Sequence, residues 1–259
     1  MISPCPNTTL HGMRAALSVA AILTVLSHPA AAASGCAPAW PHTRPIVPTA
    51  ILADGFIATA GGERLRLAAL DRATLPAGRT LIGTDATFAG SEPVDRHGAL
   101  RGDLILAGLS YRETLLRAGE ARLRPDLPAE PCLDRLRGIE AQARANRLGL
   151  WNDPRYAVLD AGDPDAVRAQ AGRFVVAIGR VVHVGVRKNR VYVDFGSDWR
   201  RDVAAVTDRK SLDGALLDDP TRLAGRLIEV RGVVRQGTPP HIELEAPGTL
   251  VVLGHDGNQ

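Results

Sequence analysis

The chain has 259 residues, 45% hydrophobic and 23% charged, a balance that excludes disorder as its main state and fits one or two domains. Aromatic residues are only 4%, so the core has to rest on Ala, Val, Leu and Ile. Of the 31 basic residues only Lys188 and Lys210 are lysines, and 28 acids nearly balance them to leave a net charge of +3. That balance excludes a strongly basic, purely electrostatic trap for polyanions.

Residues 1–33 have the layout of a secretory signal peptide. Arg14 is the positive flank, residues 15–26 are an apolar run too short to span a bilayer, and Ala31 and Ala33 are the small residues a signal peptidase needs. Cleavage is expected after Ala33, and the true start is either Met1 or Met13. The expected location is therefore the periplasm or the medium, with no transmembrane helix in the mature chain. Removing the signal removes Cys5 and leaves Cys36 and Cys132, an even pair in an oxidising compartment. A Cys36–Cys132 disulfide would close a loop of about a hundred residues, worth roughly 2–4 kcal/mol through the unfolded state. The rival is a loose lipoprotein box, Ala33-Ser34-Gly35-Cys36, which would anchor the chain to the outer membrane. It lacks the usual Leu three residues before the Cys.

After a Pro-rich lead-in at 34–48, strands are expected at 49–60 and 63–70, joined by Gly61-Gly62, and weaker ones at 79–88 and 98–107. The period then changes to helical. A short helix at 111–118 ends at Gly119, and a longer one begins near Pro131 with Cys132, Leu136, Ile139 and Ala143 on one face, stopping near Gly149. Asp160-Ala161-Gly162-Asp163-Pro164 reads as a linker. Strands resume at 173–186, 190–195, 202–207, 226–235 and 241–253, interrupted by a helix at 211–217. Five strands with a helix after the third is the count of an oligonucleotide/oligosaccharide-binding (OB) barrel, the rival being any other small antiparallel sheet.

Several segments of the first half resemble the staphylococcal-nuclease (thermonuclease) family. They are Arg64-Leu-Arg-Leu-Ala-Ala-Leu-Asp71, Asp95-Arg-His-Gly98, Leu115-Leu-Arg-Ala-Gly-Glu-Ala-Arg122 and, most specifically, Ile139-Glu-Ala-Gln-Ala-Arg-Ala-Asn-Arg-Leu-Gly-Leu-Trp151. Gly172-Arg-Phe-Val175 and the run from Tyr192 to Asp202 are similar to an extra domain found on exported bacterial members. The resemblance implies a mainly β, α+β chain: a nuclease-like OB barrel with helices at 49–159, a linker at 160–170, and a second OB-like five-stranded barrel at 171–255.

The family cleaves phosphodiesters with calcium, which needs several oxygen ligands, a carboxylate to activate water and two guanidinium groups on the phosphate. Arg66 falls on one family arginine and Asp71 on one metal ligand. The water-activating glutamate is replaced by Ala73-Thr74. The second arginine position is Ala99, with Arg101 two residues on and on the same face of a strand. The other metal carboxylate becomes Gly55, or Asp54 with a slip. Between Asp71 and Phe88 the chain is too short for the family's loop and helix. Glu92 and Asp95 are carboxylates near the lost site, and His97 stands where the family has a packing aromatic. In the tail, Trp199 with Arg200 and Arg201 either stacks on a base or, the favoured reading, packs beneath a loop.

The resulting expectation is a non-catalytic nucleic-acid- or polyanion-binding module, or a scaffold for an envelope protein, needing no cofactor. The alternative is a calcium-dependent nuclease using Arg66, Arg101, Asp71 and Asp54. The intact mass of the secreted protein should correspond to a chain beginning at Ser34, two hydrogens light for one disulfide. A lipid adduct on Cys36 would overturn that assignment.

Overall fold

A computed structural model describes residues 40–71, 81–91, 98–126, 132–237 and 239–254. The expected signal peptide, Cys36, Ala73-Thr74, Glu92, Asp95, His97 and Pro131 lie outside them. No helix among the described residues is long and apolar enough to cross a membrane. The chain is mostly β, with helices added, in two curled sheets.

The first sheet takes β1 (His42–Ile46), β2 (Pro48–Ile51), β3 (Ile57–Thr59), β4 (Arg64–Leu67), β5 (Ala86–Ser91), β6 (Ala99–Leu106) and β7 (Leu109–Ser110). Its order is β1-β5-β6-β4-β3-β2, with β7 on β6. Only Val47 separates β1 from β2 in the chain, so the two ends of the sheet are held together and the sheet has to curl. β4 and β6 run parallel, and the other neighbours are antiparallel. Leu65 and Leu67 point into a core with Ile57, Phe88, Leu100 and Leu104, while Arg64 and Arg66 alternate to the other face. β5 and β6 approach each other closely at Gly90. There a Cβ on Gly90 would sit 2.4 Å from the Arg101 carbonyl oxygen.

Helix α1 (Tyr111–Arg117) is capped by Ser110, whose Oγ accepts from the Glu113 amide at 3.1 Å. Helix α2 (Leu133–Ala145) follows, buried along Leu136, Glu140 and Ala143. Two 3-10 turns, Gly149–Asn152 and Pro154–Tyr156, come after it. The two glycine-bearing segments of the resemblance meet here. The Leu150 amide donates to Gly119 O at 2.8 Å, and a Cβ on Gly119 would lie 2.2 Å from Leu148 O. Cys132 is disulfide-bonded.

The second sheet is built from β8 (Leu159–Asp160), β9 (Phe174–Arg180), β10 (His183–Arg187), β11 (Arg190–Asp194), β12 (Ala204–Asp208), β13 (Leu227–Arg235), β14 (His241–Leu244) and β15 (Leu250–Val252). Helix α3 (Pro164–Arg168) precedes β9, and α4 (Ala215–Asp218) lies between β12 and β13. The order is β10-β11-β12-β14-β13-β9-β8, with β15 on β13. Here β9 runs into β10 through Val181-Val182, and β12 pairs parallel to β14. The chain therefore threads both sheets along the same path. Val175, Val191, Val193, Ile228, Val230 and Ile242 form the second core.

Several expectations change. The strand at 49–60 is broken at 52–56, where the Asp54 carboxylate accepts from the Phe56 amide and Gly55 has φ 77°. The Pro-rich lead-in holds a strand, β1, which among the described residues pairs with β5 alone and so tolerates Pro45. The stretch read as a linker is packed: β8 pairs with β9, Ala161 is buried, and Asp163 caps α3. The strand at 241–253 is divided by a turn at Gly248, φ 75°.

The sheets meet through buried charge. Arg231 on β13 reaches Glu140 on α2 at 2.5 Å, Glu229 at 2.8 Å and the Leu123 carbonyl at 2.8 Å. Glu140 accepts from the Leu123 amide at 2.6 Å, and Glu229 from Arg144 at 2.8 Å. Burial pushes the Glu229 carboxyl up, but the guanidinium groups of Arg231 and Arg144 outweigh it and hold the group below the usual carboxylate range. Such a group stabilises the fold fully above its unfolded pKa of about 4.3, and its contribution is lost as pH falls through the lower folded value. Glu140→Ala should leave the Leu123 amide and one Arg231 N–H without their acceptor, with Glu229 still balancing the charge, and cost about 1–3 kcal/mol in urea unfolding. Below pH ~4 the wild type should lose stability, with a shallower slope in Glu229→Gln.

Candidate functional site

The parallel register of β4 and β6 makes Arg66 and Arg101 Cα partners. Neighbouring strands lie about 4.8 Å apart, so two guanidinium groups rise from one outer patch of the sheet. Like charges at such positions repel unless an anion joins them.

That anion is Asp126, a residue the sequence reading did not single out. Beyond β4 the chain zips to residues 122–124. Leu70 bridges Leu123, the Asp71 amide donates to Arg122 O at 2.8 Å, and the Arg124 amide donates to Ala69 O at 2.8 Å. This contact carries Asp126 over the arginine pair. Its Oδ2 is ion-paired with Arg66, its Oδ1 accepts from the Ala69 amide at 3.1 Å, and its carbonyl oxygen accepts from Arg101 Nη1 at 3.2 Å. Arg66 and Asp126 are both about 15% exposed (16% and 15%), so the pair sits at the rim of the solvent. Ala69 holds φ 56°, a left-handed conformation that costs a non-glycine residue about 1–2 kcal/mol.

The carboxylates expected to hold calcium are employed elsewhere. Asp71 is buried and accepts from Arg122 Nη2 at 2.6 Å, with Arg124 Nη1 at 3.8 Å. Arg122 also donates to Phe174 O at 3.0 Å and lies over the rings of Tyr156 and Phe174. Asp54 sits in the turn before β3, ion-paired with Arg64 at 2.5 Å. Arg64 itself covers the Phe56 ring at 4.2 Å. Asp54 is thus tied to the first residue of β4, and Asp71, beyond its last, to Arg122. Among the described residues no three His, Cys, Asp or Glu side chains gather as a metal cluster. As placed, Asp54 and Asp71 are each engaged by an arginine rather than facing a shared cation position.

Trp199 differs from the favoured expectation. It does not pack beneath a loop but is 66% exposed, with the Arg200 guanidinium 4.9 Å from its ring centre. The loop closes on itself: Asp198 Oδ1 accepts from the Arg200 amide, and Asp202 Oδ2 from the Asp198 amide. The Arg201 amide donates to Asp198 O within the same loop.

No family model matches this chain, and no curated protein matches it.

Asp71→Ala should cost about 3–5 kcal/mol, because it strands a buried guanidinium, whereas Asp54→Ala should cost about 0–1 kcal/mol. Chemical denaturation without metal separates this from a shared cation site, where removing either carboxylate would relieve repulsion and stabilise the apo chain.

Proposed function

We propose that this chain is an exported, non-hydrolytic binding or scaffold module derived from a thermonuclease-like plan, with two OB-type barrels in tandem. The shared strand path supports the barrel reading. In each half a long bent first strand pairs at one end with the second strand and at the other with the fourth, and the third and fifth run parallel. The meeting of Gly119 with Leu148-Gly149 supports the nuclease-like reading of the first half, since it joins two of the segments that carry the resemblance.

One observation carries the loss of hydrolysis. Each acid that would serve the cation is bound to an arginine, Asp71 to Arg122 and Asp54 to Arg64. The arginine pair that would meet the phosphate is itself closed by Asp126. Losing a base or a transition-state donor each costs a factor of about 10²–10⁴, so their joint loss leaves no useful turnover. The exposed Trp199 beside Arg200 favours weak contact with single-stranded nucleic acid, by stacking on the ring and by charge.

Incubating the purified mature chain with single-stranded DNA and calcium, with and without chelator, tests this. The expected outcome is no cleavage, with weak salt-dependent binding that Trp199→Ala reduces severalfold. Absence of both cleavage and binding would leave the scaffold role. Chelator-sensitive cleavage abolished by Arg66→Ala would overturn the proposal.

A further inference from the structure

We propose that the cavity between the β10–β11 turn and helix α4 binds a free α-amino acid with an apolar side chain. The ligand's carboxylate meets Lys210, its ammonium group meets Asp208, and its side chain meets Leu217. The site lies at the opposite end of β11 and β12 from the Trp199 loop, so the inference goes beyond the functional reading above and does not depend on it.

The walls come from three parts of the chain. β10 turns into β11 through Lys188-Asn189, and the Asn189 carbonyl accepts from the Arg209 amide at 2.7 Å. That bond ties the turn to the 3-10 turn Arg209–Ser211 after β12. Helix α4 closes the third side, because Arg209 donates from Nε to Leu217 O at 2.8 Å and from Nη2 to Asp218 O at 2.5 Å. The cavity has a volume of about 350 Å³ and is lined by Asn189, Asp208, Arg209, Lys210 and Leu217. That is the small end of the range for ligand sites.

Two opposite charges on these walls are left open. Arg190 stands across from Asp208 in the strand register, yet its Nη2 donates to both Glu243 oxygens, at 3.0 and 3.1 Å. Arg209 is turned to the carbonyls of α4. Among the described residues the half-buried Asp208 carboxylate takes no ion pair or hydrogen bond, and neither does the exposed Lys210 ammonium. Other acids with as little exposure, such as Asp71, Glu113, Glu229 and Glu243, each hold an arginine. Arg187 and Lys188 are exposed and stand outside the lining. One open carboxylate and one open ammonium beside an exposed leucine complement a zwitterion that carries an apolar group. A simple anion would be repelled by Asp208, and a simple cation by Lys210 and Arg209.

Lys188 and Lys210 are the only lysines of the chain, which supplies the probe. Reductive methylation with isotope-labelled formaldehyde keeps their charge and labels them and the amino terminus alone. Lys210→Arg assigns the carbon NMR signals. The full mature chain is then titrated with leucine at fixed pH and ionic strength. The Lys210 signal should move saturably at millimolar leucine or below. N-acetyl-leucine and leucinamide each lack one charge and should each bind at least about tenfold more weakly. Asp208→Asn should weaken leucine by about tenfold while leaving N-acetyl-leucine no weaker than in the wild type. Equal binding of leucine and N-acetyl-leucine would overturn the proposal, since it would reduce the site to an anion patch. So would tighter binding of leucine by Asp208→Asn, or a Lys210 signal unmoved by millimolar leucine.

Discussion

The buried guanidinium of Arg231 is the constraint on which the rest of the molecule turns. A charge only 2% exposed is tolerable only if its hydrogen bonds are met, and its partners come from both halves of the chain: Glu229 from its own strand, Glu140 from α2 and the Leu123 carbonyl. Glu140 in turn holds the Leu123 amide, so both backbone polar groups of Leu123 are consumed at this junction. Leu123 is the residue that bridges Leu70. The position of residues 122–126 against the first sheet, and with it the placing of Asp126, therefore depends on a strand more than a hundred residues further along the chain.

The elements most legible in the sequence are those fixed by local chemistry. Helix α1 ends beside Gly119, and Leu136 and Ala143 line the inner face of α2, because helical spacing and a glycine are written in adjacent residues. Glu140 was invisible by the same logic. It occupies the helical position between Leu136 and Ala143, yet nothing nearby announces that an arginine from another sheet will meet it. The break at 52–56 was hidden for a related reason: Asp54-Gly55 closes a turn inside a stretch whose flanks both read as strand.

The candidate site divides in the same way. Arg66 and Arg101 could be placed on strands from alternation alone, but their pairing required the parallel register of β4 with β6, which no local pattern specifies. Asp126 sits in Arg124-Pro125-Asp126, a sequence that reads as an ordinary turn. Its role arises from a contact spanning dozens of residues. The arginine-rich composition also acquires a structural meaning. A guanidinium can bind a carboxylate, a carbonyl oxygen and a ring face at once, as Arg122 does with Asp71, Phe174 and Tyr156, and in a chain poor in aromatics this supplies packing that larger apolar side chains would otherwise provide.

The prolines of the lead-in bear on how copies of the chain treat one another. The curled first sheet ends in two short strands, and each contains a proline, Pro45 in β1 and Pro48 in β2. A residue without an amide hydrogen cannot donate to a ladder, so the exposed Pro45 leaves β1 a poorer template for a stray strand.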